Sequence, residues 1–351
     1  MEKIKKTTDS CILQGIPQIR WGRTVDGEIQ ETPFTQSLHT ILTYLSQNIS
    51  YTQIMAYSGA AFRMGWGGGD KWCPSSSDLQ SHYDTPTKVF ELTFAGLGRN
   101  YRIYGTPEGP DKLDKVKAIE FIKSEIDHGR PVIGFGVVGP AEAGIITGYQ
   151  NHGETVLGWS VFQDWAAQKF DESGYYIQDN WWENTSGLIS IGEETGVSIS
   201  DKSILENALM LMTAEQVRGY GAPHPFYAGQ LAYEKWARAL ECDDFDAKGA
   251  SGDGGQHNTM ELLLGERGYA AAYLNFMAER HPKIATELQK CARLLKAATD
   301  CIHSMRALYV EQNDWLLENQ QNRQQIATLV REAAKYEKDA CVILSEIINK
   351  L

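Results

Sequence analysis

A reaction carried out by this chain of 351 residues would need a nucleophile or a set of acids, and the sequence offers few of either. Cys73 stands in GWGGGDKWCPSSSD, a Gly- and Trp-rich stretch followed by Pro74 and by Ser75, Ser76 and Ser77 as possible helix caps. A thiol just before a helix start has a lowered pKa and can attack a carbonyl; the plainer reading is a partly buried loop thiol. Cys11 precedes the first β-like run and reads as a core thiol, or as a second choice of nucleophile. Glu142 is a carboxylate set between apolar stretches. Burial would raise its pKa and fit it for general acid or base work, whereas exposure would leave it at a loop tip. Asp179, Asn180, Trp181 and Trp182 bring a charge, an amide and two indoles to a strand end, a composition suited to a polar ligand or to a turn. Trp66, Trp72, Trp159 and Trp165 add large amphipathic rings, which serve a core or a ligand cleft.

The remaining candidates have structural readings. Cys291, Cys301 and Cys341 sit on helical stretches beside apolar neighbours and pack there. His39 lies between apolar helix positions as a hydrogen-bonded structural residue, and His152 is a solvated turn residue. His257 opens a helix, where it either reaches towards a cleft or simply adjoins a cap made by Asn258.

These residues need elements to hold them. Leu38, Ile41, Leu42 and Leu45 recur at helical spacing within Ser37 to Ser46, which predicts a helix with one apolar face in the core. Val116, Ile119, Ile122 and Ile126 predict a second helix from Asp111 to His128, ended by Gly129. Pro131 to Val137, Ala143 to Tyr149 and Thr155 to Phe162 read as strands, the last two joined as a hairpin through Asn151, His152 and Gly153. Tyr175 to Asp179 and Gly187 to Gly192 are further strands. Beyond Ser200 the pattern turns helical: Ile204 to Arg218, Gly229 to Leu240, then, after a Gly/Asp-rich break from Asp246 to Gly255, three long segments at Asn258 to Arg280, Lys283 to Val310 and Asn313 to Leu351. At ~1.5 Å per residue the last would exceed ~50 Å, long enough to cross the other domain or to meet a second subunit.

Composition narrows the function class. A formal charge of −12 disfavours nucleic acid and anionic membrane surfaces, both of which require a basic face. The six cysteines include no CxxC pair and no His at zinc-ligand spacing, so neither metal nor cofactor is expected and the thiols read as free in a reducing cytoplasm. No signal-like or membrane-spanning stretch is visible, which points to a cytoplasmic protein with a small molecule or another protein as partner.

TPFTQSLHTILTYL, YSGAAFRMGW, GPAEAGIITGYQ, VLGWSVFQ and YYIQDNWW, with AYEKWARAL and ERGYAAAYLNFMAERHP further on, occur in an order that resembles the papain-like peptidases of the bacteriocin-processing type. More closely, nearly the whole chain resembles the family of the butirosin-biosynthesis acyltransferase, protein H. The resemblance implies a papain-like α+β domain over residues 1–202, with an antiparallel sheet and a central helix, and an all-α domain over 203–351. Active members carry a Cys at the start of the central helix and a His on the second strand pair. In this sequence the resemblance puts those places on Pro33 or a near neighbour, followed by Phe34, Thr35 and Gln36, and on Glu142, with Asp164 or Asp179 in the place of the orienting acid. The departures imply a protein without the usual Cys/His pair that binds a small or peptide-like ligand in a cleft. Glu142, Cys73 and Asp164 are then the candidate catalytic groups, and Gln36, Trp66, Tyr149, Asp179, Asn180 and Trp181 the candidate ligand contacts. Two alternatives stay open: an active thiol acyltransferase, which in that family would need an acyl carrier protein, or amide hydrolase, using Cys73 or Cys11; and an assembly module dimerising through the C-terminal helices.

Overall fold

Proline at the first helical position costs no hydrogen bond, and Pro33 occupies that position in α1 (Pro33–Tyr44), behind Thr32 in extended backbone. The computed structural model describes residues 4–25, 28–67, 74–107, 112–217, 226–251, 255–310 and 316–351; Trp72 and Cys73 lie outside them. The chain forms two compact units, Met1–Ile54 with Leu97–Ser198, and Met55–Gly96 with Ile199–Leu351. It therefore passes between units three times, where the expected organisation has a single division after residue 202.

The first unit is an eight-stranded antiparallel sheet with helices. Its elements are β1 (Ile4–Lys6), β2 (Cys11–Leu13), a separate hairpin β3 (Arg23–Val25) and β4 (Glu28–Gln30), α1, β5 (Arg99–Gly105), α2 (Lys115–Ile126), β6 (Val132–Phe135), β7 (Ala143–Gln150), β8 (Thr155–Trp159), β9 (Tyr176–Asp179) and β10 (Gly187–Glu194). Strand β7 is the seam. Along one edge it pairs with β8, and along the other it pairs first with β6, from Ala143 opposite Phe135 to Ile146 opposite Val132, and then with β2, at Gly148 and Tyr149. β10 and β5 extend the sheet beyond β6, and β9 extends it beyond β8.

The two expected helices form with shifted ends. α2 starts at Lys115 because the Asp114 carboxylate caps the Lys117 amide at 3.0 Å, and Val116, expected on its apolar face, is 64% exposed. β8 stops at Trp159, short of Phe162. There the Ser160 hydroxyl donates to the Val138 carbonyl at 3.2 Å and accepts from the Phe162 amide at 3.1 Å, turning the chain out of the ladder.

The second unit is largely helical, with helices at Asp201–Thr213, Gly229–Glu241, Gln256–Gly265, Arg267–Arg280, Ala285–Val310 and Gln320–Ile348 and a small sheet that includes Gly65–Trp66. The segment expected as one helix from Asn258 is two, separated at Glu266, whose carboxylate meets the Arg63 guanidinium at 2.6 Å. The last helix spans 29 residues, or ~43 Å at ~1.5 Å each. Its apolar stripe, with Ile326, Val330, Ala333, Ala340, Leu344 and Ile347 buried, packs against Ala285–Val310, Gly229–Glu241 and Asp201–Thr213 inside this unit. No described helix is long and apolar enough to cross a membrane.

A buried polar knot pins these helices. Arg267 and Glu337, both fully buried, are joined by two hydrogen bonds of 2.7 and 3.0 Å; the Tyr233 hydroxyl donates to the same carboxylate at 2.6 Å, and Arg267 also donates to the Ala61 and Arg63 carbonyls. Glu337→Ala would strand a guanidinium and a phenol in the core, and urea unfolding should show a loss of about 3–5 kcal/mol, of which the apolar triple variant Tyr233→Phe/Arg267→Met/Glu337→Leu recovers most.

His82 is buried nearby. Its Nε2–H donates to the Ser76 carbonyl at 3.0 Å, while burial and the Arg63 and Arg267 charges lower its pKa to about 3. The folded form therefore holds one proton fewer than the unfolded chain between about pH 6.5 and 3, so stability is retained above that window and lost as pH falls through it. Across most of this window His82→Gln should flatten the pH dependence of the unfolding free energy by about 1.4 kcal/mol per pH unit; equal slopes in the two proteins would contradict this.

Candidate functional site

Because α1 is buried from Pro33 to Leu42, its polar side chains must find partners inside the fold. Thr35 meets the Tyr51 hydroxyl at 2.8 Å, and the His39 Nδ1 meets the Gln30 amide at 2.9 Å. The Gln36 side-chain amide donates to the carbonyls of Gln30 at 2.8 Å and Arg20 at 3.0 Å, and Thr40 accepts from the Arg23 guanidinium at 2.7 Å. Gln36, expected to contact ligand, is thus a fully buried bracket that ties the segment before β3 and the end of β4 to the helix. Its Oε1 and the Ser37 hydroxyl have no hydrogen-bond partner among the described residues. His39 has the structural role expected of it.

The start of α1 lies against one end of the β6–β7 pair. Phe34 stacks on Phe135 with ring centres 6.4 Å apart and planes at 27°, and Phe135 is the register partner of Ala143. Pro33 precedes Phe34 and Glu142 precedes Ala143, so the two positions singled out in the sequence belong to one end of the sheet. Glu142 is half-buried in the turn between the strands, its carbonyl accepting from the Gly136 amide at 3.1 Å and its amide donating to the Pro140 carbonyl at 2.7 Å. Asp164, exposed in the single helical turn Gln163–Ala166 that follows β8, belongs to this end as well. The link is Phe162, whose Cβ lies 2.7 Å from where a side chain on Gly139 would begin, a contact that only glycine permits.

Sequence reasoning named Trp165 among the rings that serve a core or a cleft, but passed over Trp21 and Phe162, which gather with it here. Phe162 meets the Trp21 ring edge-on at 5.4 Å and the Trp165 ring edge-on at 5.4 Å, and the two indoles are 46% and 69% exposed. RWGR at residues 20–23 was the available signal: a tight turn with Gly in its third place and cations on both sides of an indole.

The other expected contacts lie elsewhere. Tyr149, Asp179, Asn180 and Trp181 are at the opposite end of β7 and the adjoining strands, roughly 20 Å from Glu142 at ~3.3 Å per residue. There the Tyr149 hydroxyl donates to Asp127 at 2.8 Å, which with burial raises its pKa, and Trp181 is buried with its indole N–H on the Gly153 carbonyl at 3.0 Å. Asp179 accepts from Thr155 at 2.7 Å and Lys169 at 3.0 Å, which lower its pKa. Asn180 adopts a left-handed turn conformation at φ 54°. Trp66 is buried in the second unit among Met64, Tyr233 and Trp236. His257 is buried beside Trp236 and 3.3 Å from Glu261, and Gly255, not Asn258, occupies the cap position of its helix. A groove of about 490 Å³ runs along α2 between Lys115, Ile119, Lys123 and Glu154, also at the Tyr149 end; Lys115 is there paired with Glu154 at 2.6 Å.

Thiol chemistry finds little support among the described residues. Burial, with Asp127 adding to it, raises the pKa of Cys11, whose Sγ faces the Ile126 carbonyl at 3.8 Å. Burial pushes Cys291 and Cys341 up to about 12 and Cys301 up to about 11. Among the described residues no group of three or more His, Cys, Asp or Glu side chains is placed to hold a metal ion. The sequence matches no protein-family model and no characterised protein. Of the five described thiols, exposed Cys242 should react with a disulfide reagent under native conditions at least about a hundredfold faster than Cys11, Cys291, Cys301 or Cys341, as peptide mapping would read; native labelling of Cys11 at the Cys242 rate would contradict its burial.

Proposed function

We propose that this chain is a papain-like protein in which the thiol–imidazole pair has been replaced, and that it binds a small or peptide-like ligand where the start of α1 meets the β6–β7 turn. One observation carries the reading: the Phe34–Phe135 stack, which gathers at one sheet end the two positions that in the resembled family hold nucleophile and base. Here they are Pro33, which has no nucleophilic atom, and Glu142, a carboxylate. A carboxylate can accept a proton or hold an ammonium or amide N–H, but without a neighbouring nucleophile it forms no acyl intermediate. Exposed indoles and a carboxylate at one sheet end are materials for recognition. Acyl transfer from a carrier protein, or amide hydrolysis, would have to run through Cys73, outside the described residues, or through buried Cys11.

Restoring the missing pair tests the reading. In a Pro33→Cys/Glu142→His variant the introduced thiol should titrate below about pH 6.5, followed by thiolate absorbance, against about 8.5 for an ordinary thiol, and Pro33→Cys alone should fall between the two. Identical titrations in the single and double variants would put positions 33 and 142 out of reach of each other and end the proposal. Wild-type protein should turn over simple thioesters and amides no faster than buffer; turnover abolished by iodoacetamide would instead favour the thiol enzyme.

A further inference from the structure

Residues 20–23 form a reverse turn, with the Arg23 amide donating to the Arg20 carbonyl at 3.3 Å and Gly22 in the third place at φ 62°. That φ is the left-handed value a type II turn requires and glycine supplies without strain. Such a turn brings its first and fourth residues together, and both are arginines. Arg23 is half-buried, its guanidinium donating to Thr40 on α1 at 2.7 Å, and burial, with the Arg20 charge adding to it, lowers its pKa. Neither guanidinium meets a carboxylate among the described residues, in a chain with a net charge of −12. An anion relieves the repulsion between two like charges carried on one turn, and the planar guanidinium fork fits carboxylate or phosphate oxygens.

Trp21 occupies the corner of this turn. Its ring meets Phe162 edge-on, as does that of Trp165, so the turn carries one exposed indole and a second stands on the other side of the Phe162 ring. The Gln36 amide on the Arg20 carbonyl holds the turn against the first turns of α1.

We infer that the Arg20–Arg23 turn and the Trp21 and Trp165 indoles form a binding site for a small ligand that joins an anionic group to a planar ring. The inference names the ligand class for the site of the preceding section and rests on that reading. The anion is seated between the guanidinium groups and the ring lies against indole. Asp164 and Glu142 are also at this sheet end and would favour a cation; Asp164 is exposed and screened by solvent, and Glu142, half-buried like Arg23, is a single carboxylate against the two guanidinium groups of the turn. The sign of the preferred ligand charge is therefore the decisive readout.

Indole-3-acetate and tryptamine carry the same ring with opposite charges. By titration calorimetry, indole-3-acetate should bind the full chain at least tenfold more tightly than tryptamine, and acetate alone should not bind measurably. Arg20→Gln and Trp165→Ala, both at exposed side chains, should each weaken indole-3-acetate at least tenfold with unchanged unfolding temperatures. Equal or tighter binding of tryptamine would overturn the inference, as would binding indifferent to both substitutions, or no binding of indole-3-acetate at millimolar concentration. The thiol titration of the Pro33→Cys/Glu142→His variant involves none of these residues, so it can succeed while this inference fails.

Discussion

Everything at the candidate site depends on the burial of α1. A helix covered on all sides over ten consecutive residues leaves its polar side chains no water to bond, and apart from the Ser37 hydroxyl they are met by protein. Thr35, Gln36, His39 and Thr40 consequently act as brackets. They draw in Tyr51, the Gln30 end of the β3–β4 hairpin, and the turn at residues 20–23. The surface near the start of α1 is thus shaped by hydrogen bonds made beneath it, and Gln36 ties to the helix the Arg20 carbonyl of the turn that carries Trp21.

The second constraint is the register of β7. Pairing with β6 over its first half and β2 over its second makes its two ends different places, one facing the start of α1 and the other closed by Tyr149, Asp127 and Trp181. A run of eight residues reads in sequence as one cleft wall, yet a strand separates its ends by its own length. For this reason Glu142 and Asp164 share one end, while Asp179 is engaged in an ion pair at the other. The helical unit meets its own polar demand inwardly, through Arg267, Glu337 and Tyr233. The same physics makes the long C-terminal helix a core element: its apolar stripe is satisfied within its own unit.

How much of this was legible beforehand can be followed residue by residue. The apolar spacing of Leu38, Ile41 and Leu42 suffices for α1, and the β-branched runs around Ile133 and Ile145 suffice for the strands, because local periodicity reports which face is buried. The long helices after Ser200 were legible for the same reason. Element ends were not, since they are set by single side chains such as Asp114 and Ser160 whose partners are folded into place. At the candidate site, Glu142 and Asp164 could be singled out by residue type, but their sharing one sheet end could not. The importance of Phe162 was invisible, because it is the distant Gly139 that lets the ring come close.

By itself the sequence determined the α+β class and the helical character of the second half. Those properties reside in residue type and short-range spacing. Only the tertiary structure decided which residues share a site: it separated Asp179 and Tyr149 from Glu142, placed Trp66 in the core of the other unit, and brought Trp21 and Trp165 onto the two sides of Phe162. Proximity between residues more than a hundred positions apart is a product of strand register and helix packing, and no local pattern encodes it.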